Sequence, residues 1–119
     1  MLGQIDDLYK WSKILGTGKL LTRRTFEEQI ARTTVGLGPN KYNSYYGLGI
    51  GVNNGWLGHA GSCPGFSSYT GYNLTFGYQI AVMVGTDIEQ NNGNLAELIA
   101  RNISNILTPI QPIQITKQV

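Results

Sequence analysis

From Tyr42 to Thr86 the chain runs for 45 residues without a single Asp, Glu, Lys or Arg. A solvated surface of that length does not dispense with charge. The window therefore has to form the centre of a fold, its strands buried on at least one face. It holds nine of the twelve aromatic residues and ten of the sixteen glycines of the 119-residue chain, which suits strands that pack rings and bend at Gly. Charge lies outside it, in residues 1–41 and then at Asp87, Glu89, Glu97, Arg101 and Lys117. A net charge of +2, so dispersed, gives no electrostatic footprint for nucleic acid. No apolar run approaches the ~18–20 residues of a bilayer span. Cys63 stands alone, which excludes an intrachain disulfide and a cysteine zinc site, and neither metal nor cofactor is expected.

Periodicity predicts two short helices, a meander and a long helix. Asp6 to Leu15 reads as the first helix, capped by Asp6 or Asp7, with Leu8, Trp11 and Leu15 on one face. Thr22 is the expected N-cap of the second, in which Phe26, Gln29 and Ile30 share a face. Gly36, Gly38 and Pro39 then break the chain. Tyr45 to Val52 reads as one strand, and Asn53-Asn54-Gly55 as a hairpin turn, since Asn-Gly accepts the positive φ of a type I′ turn. Trp56–Ser62 is the return strand. Cys63-Pro64-Gly65 is a turn with a buried thiol, Phe66–Leu74 a third strand, and Thr75-Phe76-Gly77 another turn. Tyr78–Thr86 has the continuous apolar run of a central strand. Asn94-Leu95-Ala96-Glu97 is a capping-box pattern opening a helix whose stripe of Leu95, Leu98, Ile99, Ile103, Ile106 and Leu107 is expected to lie on the sheet. Pro109 and Pro112 end it, leaving residues 109–119 as a loose tail. The class is α+β, with an antiparallel sheet of three to four strands packed by a C-terminal helix and preceded by two short helices. The sequons Asn73-Leu74-Thr75 and Asn102-Ile103-Ser104 read as chance matches, the second inside a packed helix.

Within the charge-free window only His59 and Cys63 titrate near neutral pH, which makes His59 the first place to look for chemistry. A lone strand histidine is commonly structural, so its neighbours decide. Asp6-Asp7-Leu8-Tyr9-Lys10-Trp11 precedes Gly18-Lys19-Leu20-Leu21-Thr22. Tyr46-Gly47-Leu48-Gly49, His59-Ala60-Gly61 and Pro64-Gly65-Phe66-Ser67-Ser68 follow, and then a strand–helix pair. In this order and spacing, over residues 3 to 107, the chain resembles the C-terminal part of the penicillin-recognising serine hydrolases: class C β-lactamases, D-Ala-D-Ala carboxypeptidases, D-aminopeptidases and related esterases.

The resemblance implies a partial β-lactamase/transpeptidase-like fold over residues 1–108 and a role for the His-x-Gly strand as the wall of an active site. His59 would stand at the Lys/His position of the third motif, orienting hydrogen bonds or sharing in proton transfer. Gly61 would let substrate lie against the backbone, and the Ser62 N–H would be one of two oxyanion donors. Ala60 replaces the usual Thr, removing a hydroxyl for a substrate carboxylate and weighting an esterase-like or degenerate reading. Ser-x-x-Lys and Tyr-x-Asn occur nowhere in the chain, so nucleophile and base are absent and the chain alone is not expected to catalyse. His59 with Ser62 or Ser67 is no substitute triad, because strand geometry separates them. The expected partners are the upstream part of the same hydrolase or a separate chain carrying the nucleophile, a small amide or ester (a β-lactam, D-amino-acid peptide or simple ester), and a second copy meeting an open sheet edge. The alternative is a non-catalytic binding module built on this fold. The family implies a secreted or periplasmic parent, although no signal peptide is read at Met1.

Overall fold

In a computed structural model, which describes residues 3–91 and 93–114, the uncharged window becomes one antiparallel meander. Its strands are β1 (Ser44–Tyr46), β2 (Gly51–Asn53), β3 (Trp56–Cys63), β4 (Phe66–Asn73) and β5 (Gln79–Val84), ordered as they occur in the chain. Helices α1 (Ile5–Thr17) and α2 (Arg23–Gln29) precede it and α3 (Leu95–Leu107) follows. The class is α+β with five strands. The fifth arises because Tyr45–Val52, expected as one strand, folds back on itself: Tyr45 pairs with Val52 and Tyr46 with Gly51.

Turn chemistry sets the register. Asn54 and Gly55 adopt φ of 51° and 87°, the pair of positive values a type I′ turn demands, and bring Asn53 opposite Trp56. Pro64-Gly65 closes the next hairpin, with Cys63 opposite Phe66. Cys63 is exposed rather than buried, because a two-residue turn projects its flanking residues beyond the packed part of the sheet. At the third turn Asn73 is fully buried, and its Oδ1 accepts the N–H groups of Thr75 at 3.1 Å and Phe76 at 2.8 Å. That structural use of the side chain fits the reading of its sequon as chance.

The helix caps follow the sequence with one shift. Thr22 caps α2, accepting the Thr25 N–H at 3.2 Å, and Asn94 caps α3, accepting the Glu97 N–H at 3.0 Å. Helix α1 starts earlier than Asp6: Gln4 is its N-cap, and the Gln4 N–H donates to the Asp7 carboxylate at 3.0 Å. No helix of the described residues is long and apolar enough to cross a membrane.

Alternation along the strands gives the sheet two faces. Trp56, Tyr69, Ile80 and Val82 cluster with Ala96 and Ala100 of α3 on one. On the other, α1 lies over β3, β4 and β5. There the Thr70 hydroxyl donates to the Leu8 carbonyl at 3.3 Å, and the Gln79 amide donates to the Tyr9 carbonyl at 2.8 Å. Both helices pack through small residues. The buried positions of α1 are Ser12 and Gly16, and those of α3 are Ala96, Ala100 and Ser104. The stripe expected to cover the sheet is therefore displaced to the flank of α3: Ile99, Ile103 and Leu107 are each partly exposed and Ile106 is 82% exposed. The sheet's own aromatics fill the layer between, so bulky helix residues have no room there.

The segment expected to be loose from residue 109 is tied down as far as Gln114. Trp56, fully buried, donates its indole N–H to the Gln111 carbonyl at 3.0 Å, with Thr108 Oγ1 at 3.3 Å. Ile113 enters the core cluster, and Asn54 donates to the Pro112 carbonyl at 3.0 Å. The proline pair ends the helix without freeing the chain, because Trp56 and the hairpin turn supply partners for the backbone beyond it. The packed unit thus extends past the expected boundary at 108; residues 115–119 of the expected tail lie outside the described residues. Trp56→Ala removes both the ring and this tether. It should lower stability by about 3–5 kcal/mol, the usual loss for a buried Trp, measured as a shift in the urea midpoint at unchanged slope.

Candidate functional site

Strand β3 is longer than its neighbour on one side. Gly58 is the last residue of β3 paired to β2, opposite Gly51, whereas the whole of β3 from Trp56 to Cys63 is paired to β4. From His59 onward β3 is therefore free on that side. The N–H of Asn73 donates to the Tyr78 carbonyl, so Asn73 bonds toward β5. Strict alternation along β4 then makes Phe66, Ser68, Thr70 and Tyr72 the residues that bond back to β3. Their partners on β3 are Cys63, Gly61, His59 and Leu57. The intervening Ala60 and Ser62 consequently turn their N–H and C=O groups outward. Among the described residues no backbone group meets them.

Beside this edge is a cavity of about 470 Å³, lined by His59 and Ala60 of β3, Tyr46 and Ser44 of β1, Glu97 of α3 and its N-cap Asn94, and the loop residue Glu89. The His59 ring is fixed at both nitrogens. Nδ1 lies 2.5 Å from the Ala60 carbonyl and Nε2 lies 2.6 Å from the Tyr46 hydroxyl. A carbonyl only accepts, so Nδ1 carries the proton, and in the neutral ring Nε2 accepts from Tyr46. The two rings meet edge to face, with centroids 5.6 Å apart. Of the four residues expected at the site, His59 and Ala60 line the cavity. Gly61 and Ser62 continue along the strand beside it, and the Gly61 carbonyl accepts from Asn94 Nδ2 at 2.9 Å.

Glu97 closes the opposite wall. Burial holds its carboxyl above the usual range, and the nearby imidazole of His59 opposes that shift. Tyr69, deeply buried beside it, has its phenol pushed up, first by burial and then by the Glu97 carboxylate. The site thus pairs a histidine of fixed tautomer with a carboxyl that resists ionisation, and it opens on outward backbone donors. Such a set can donate hydrogen bonds to a carbonyl and relay a proton. Among the described residues no Ser or Cys side chain bonds to His59; the hydroxyl on its Nε2 is that of Tyr46.

Tyr46, Glu97 and Asn94 were not legible as site residues. The fold-back at residues 47–50 is what carries Tyr46 to His59, and its one signal was the closely spaced Gly47 and Gly49. A capping box marks Asn94 and Glu97 as a helix start, not as a cavity wall.

The fold-back itself rests on α2. The Leu48 N–H donates to the Gln29 carbonyl at 2.9 Å and the Tyr45 hydroxyl donates to the Ile30 carbonyl at 2.6 Å. A Cβ on Gly47 would stand only 2.2 Å from that Gln29 oxygen. Gly47→Ala must move backbone rather than a side chain. It should cost about 1–3 kcal/mol, as overpacking does, and should displace Tyr46 from His59, read from the histidine ring shifts by NMR.

The pH dependence of stability has a definite sign at Glu97. Its native pKa is raised, so its contribution is favourable below the unfolded value of about 4.3 and is lost as pH rises through the native pKa. Glu97→Gln should be more stable than the parent at pH 7, with the difference vanishing below about pH 4, in paired urea titrations. No family model matches this chain, and no curated protein or solved structure matches it either.

Proposed function

We propose that this chain is the C-terminal part of a β-lactamase-like serine hydrolase acting on a small amide or ester through an acyl-enzyme. In this reading it supplies the wall strand and half of the oxyanion hole to a nucleophile held by another segment. The observation that carries the reading is the free upper half of β3. There His59, which lines a cavity large enough for a small ligand, is followed along one uncovered edge by the outward amide of Ser62. The motif order described above supports the same assignment.

In the assembled enzyme a serine oxygen adds to the substrate carbonyl. The negative charge that develops on the carbonyl oxygen is met by the Ser62 N–H, a donor fixed in place by the β3–β4 ladder before any substrate binds. His59, through Nε2, holds the hydrogen-bond network on the leaving-group side. The serine proton passes to a base on that other segment, collapse breaks the C–N or C–O bond and expels the amine or alcohol carrying this proton, and water then releases the acid and returns a proton to the serine. The absence of a side chain at Gly61 and of a hydroxyl at Ala60 leaves no side-chain donor for a substrate carboxylate on this stretch of strand. That favours an ester or a neutral amide over a substrate anchored by its carboxylate.

The test is assembly of activity. The purified chain should turn over neither nitrocefin nor p-nitrophenyl esters. Co-expression with the coding sequence immediately upstream should restore turnover and place a fluorophosphonate label on a Ser-x-x-Lys serine of that segment. In the assembly, His59→Ala should lower kcat/KM by roughly 10²-fold while shifting the stability of this chain by under ~1 kcal/mol. Upstream sequence without Ser-x-x-Lys would overturn the reading. So would turnover by the chain alone that disappears in Cys63→Ala, which would make the exposed thiol the nucleophile.

A further inference from the structure

The cavity wall opposite His59 carries a charge that no basic side chain among the described residues answers. Two carboxyls line the cavity, half-buried Glu97 and exposed Glu89, and no lysine or arginine does. Among the described residues the arginine ion pairs join Arg23 to Glu27 and Arg24 to Glu28, all on α2. The imidazole is not a partner either, because its two nitrogens face the Ala60 carbonyl and the Tyr46 hydroxyl. Burial holds the Glu97 carboxyl above its usual range. A half-buried carboxylate is costly to ionise until a cation stands beside it. Glu97 lies in the first turn of α3, whose positive end acts on the carboxylate first, so a cation is held on the cavity side of it.

A second group reaches the same space. Tyr69 is only 5% exposed, yet it lines the cavity, and its hydroxyl makes no hydrogen bond among the described residues. That oxygen lies over Gly58, where a Cβ would stand 2.8 Å from it. Gly58 itself lines the cavity, so the missing side chain leaves room for the end of the phenol. Burial and the Glu97 carboxylate both keep the phenol protonated, and it can donate or accept. A buried hydroxyl without a partner is unfavourable until something in the cavity answers it. An anion does not fit, because two carboxyls repel it and the Glu97 N–H is already taken by Asn94 Oδ1 at 3.0 Å. An uncharged ligand answers the phenol and leaves the carboxylate unpaired.

We propose that this cavity anchors a protonated primary amine, held by the Glu97 carboxylate and the Tyr69 hydroxyl, with Glu89 adding negative charge at the rim. An ammonium carries three N–H donors and no acceptor. Glu97 takes one in a charge-assisted hydrogen bond, the Tyr69 oxygen takes a second, and the third faces the open side of the cavity. The pairing removes both deficits at once: the carboxylate gains its counter-charge and the phenol its partner. The amine site stands on the cavity alone, while its assignment to a substrate rests on the hydrolase reading. In that reading the substrate is a small amino amide or amino ester. Its reacting carbonyl is neutral and lies along β3 toward the Ser62 N–H, and its ammonium lies against the α3 wall. The charge of Glu97 thus provides the anchor that Ala60 and Gly61 do not offer to a carboxylate.

The test compares glycinamide with glycolamide, which carries a hydroxyl in place of the ammonium. An α-amine with a pKa of about 7.7–8.0 is mostly protonated at pH 7. Each compound is titrated into the purified chain at pH 7, and the amide NMR shifts of Gly58, His59 and Glu97 are followed. Glycinamide is expected to bind at least about tenfold more tightly than glycolamide, the scale of a hydrogen bond to a charged group. Glu97→Gln keeps the shape of the wall and should erase that difference. Tyr69→Phe keeps the ring and should weaken glycinamide about threefold or more, whereas Glu28→Gln, outside the cavity, should change nothing. Equal affinity for the two compounds, no shift with glycinamide, or full affinity in Glu97→Gln would each overturn the proposal. Should Tyr69→Phe unfold, Glu97→Gln decides alone. These readings need no nucleophile. Tight glycinamide binding beside an assembly that turns nothing over would support the amine site and overturn the hydrolase assignment alone. In an active assembly glycine p-nitroanilide should be favoured over its N-acetyl form, and the lack of that preference would overturn the amine as the substrate's anchor.

Discussion

The arrangement of the site depends on one backbone hydrogen bond, from Leu48 to the last carbonyl of α2. Because Gln29 accepts the Leu48 N–H, the chain between Tyr46 and Gly51 cannot run straight along β3. It must lift, turn and return, and only glycine at position 47 tolerates the approach. Three consequences follow together. β2 is limited to three residues, β3 is left uncovered from His59 onward, and Tyr46 is delivered to the imidazole. An unbroken strand over Tyr45–Val52 would have carried Tyr46 away from His59. The two short helices, which look like an appendage in the sequence, are therefore part of the site's construction.

The same sheet explains which helix residues could be read in advance. Counting apolar residues at helical spacing identified α1 and α3, because a period near 3.6 reports helix formation whatever the helix then packs against. It mislocated the buried face of α3. Tyr69, Tyr72 and Trp56 already occupy the layers above and below the sheet. Close approach then selects Ser12 and Gly16 on one side and Ala96 and Ala100 on the other. Gly16 lies against the Tyr72 ring, and Ala96 and Ala100 share the core with Tyr69. Interiors are filled by volume, and large residues on the sheet call for small ones on the helix. A pattern that scores only hydrophobicity assigns the largest residues to the inside, and here they are on the flank.

Turns and caps were legible for the opposite reason: their determinants are local. Asn54-Gly55, Pro64-Gly65, Thr22 and Asn94 act within three or four residues of themselves, so their structural outcome is written beside them. The candidate site is legible in proportion to how local it is. His59, Ala60, Gly61 and Ser62 lie on one strand and could be named from the sequence. Tyr46 is thirteen residues from His59 along the chain, and Glu97 shares a cavity with the imidazole only because α3 crosses back over the sheet. Burial then gives Glu97 an environment that its place in a capping box does not announce. The tail is the converse case. Pro109 and Pro112 do end a helix, but whether the chain beyond is held depends on the indole of Trp56, more than fifty residues away.

The margins of the sheet are unequal, and the inequality is physical. The β1 margin is three residues long, sits beside Lys41 and is anchored on α2 through Tyr45, so it offers little to an incoming strand. The upper half of β3 is open but short, flanked by Tyr46 and crossed by the Asn94 amide. It suits a small ligand that needs a few fixed donors. The β5 margin is longer, with Ile80 and Val82 packed on the α3 face and Gln79 bonded to α1 on the other. Polar groups left on an edge are costly only where water is kept from them. The outward groups of Gln79, Ala81 and Met83 have no backbone partner among the described residues. On β3 the corresponding groups open on a polar cavity, where water competes on even terms until a substrate oxygen carrying charge replaces it.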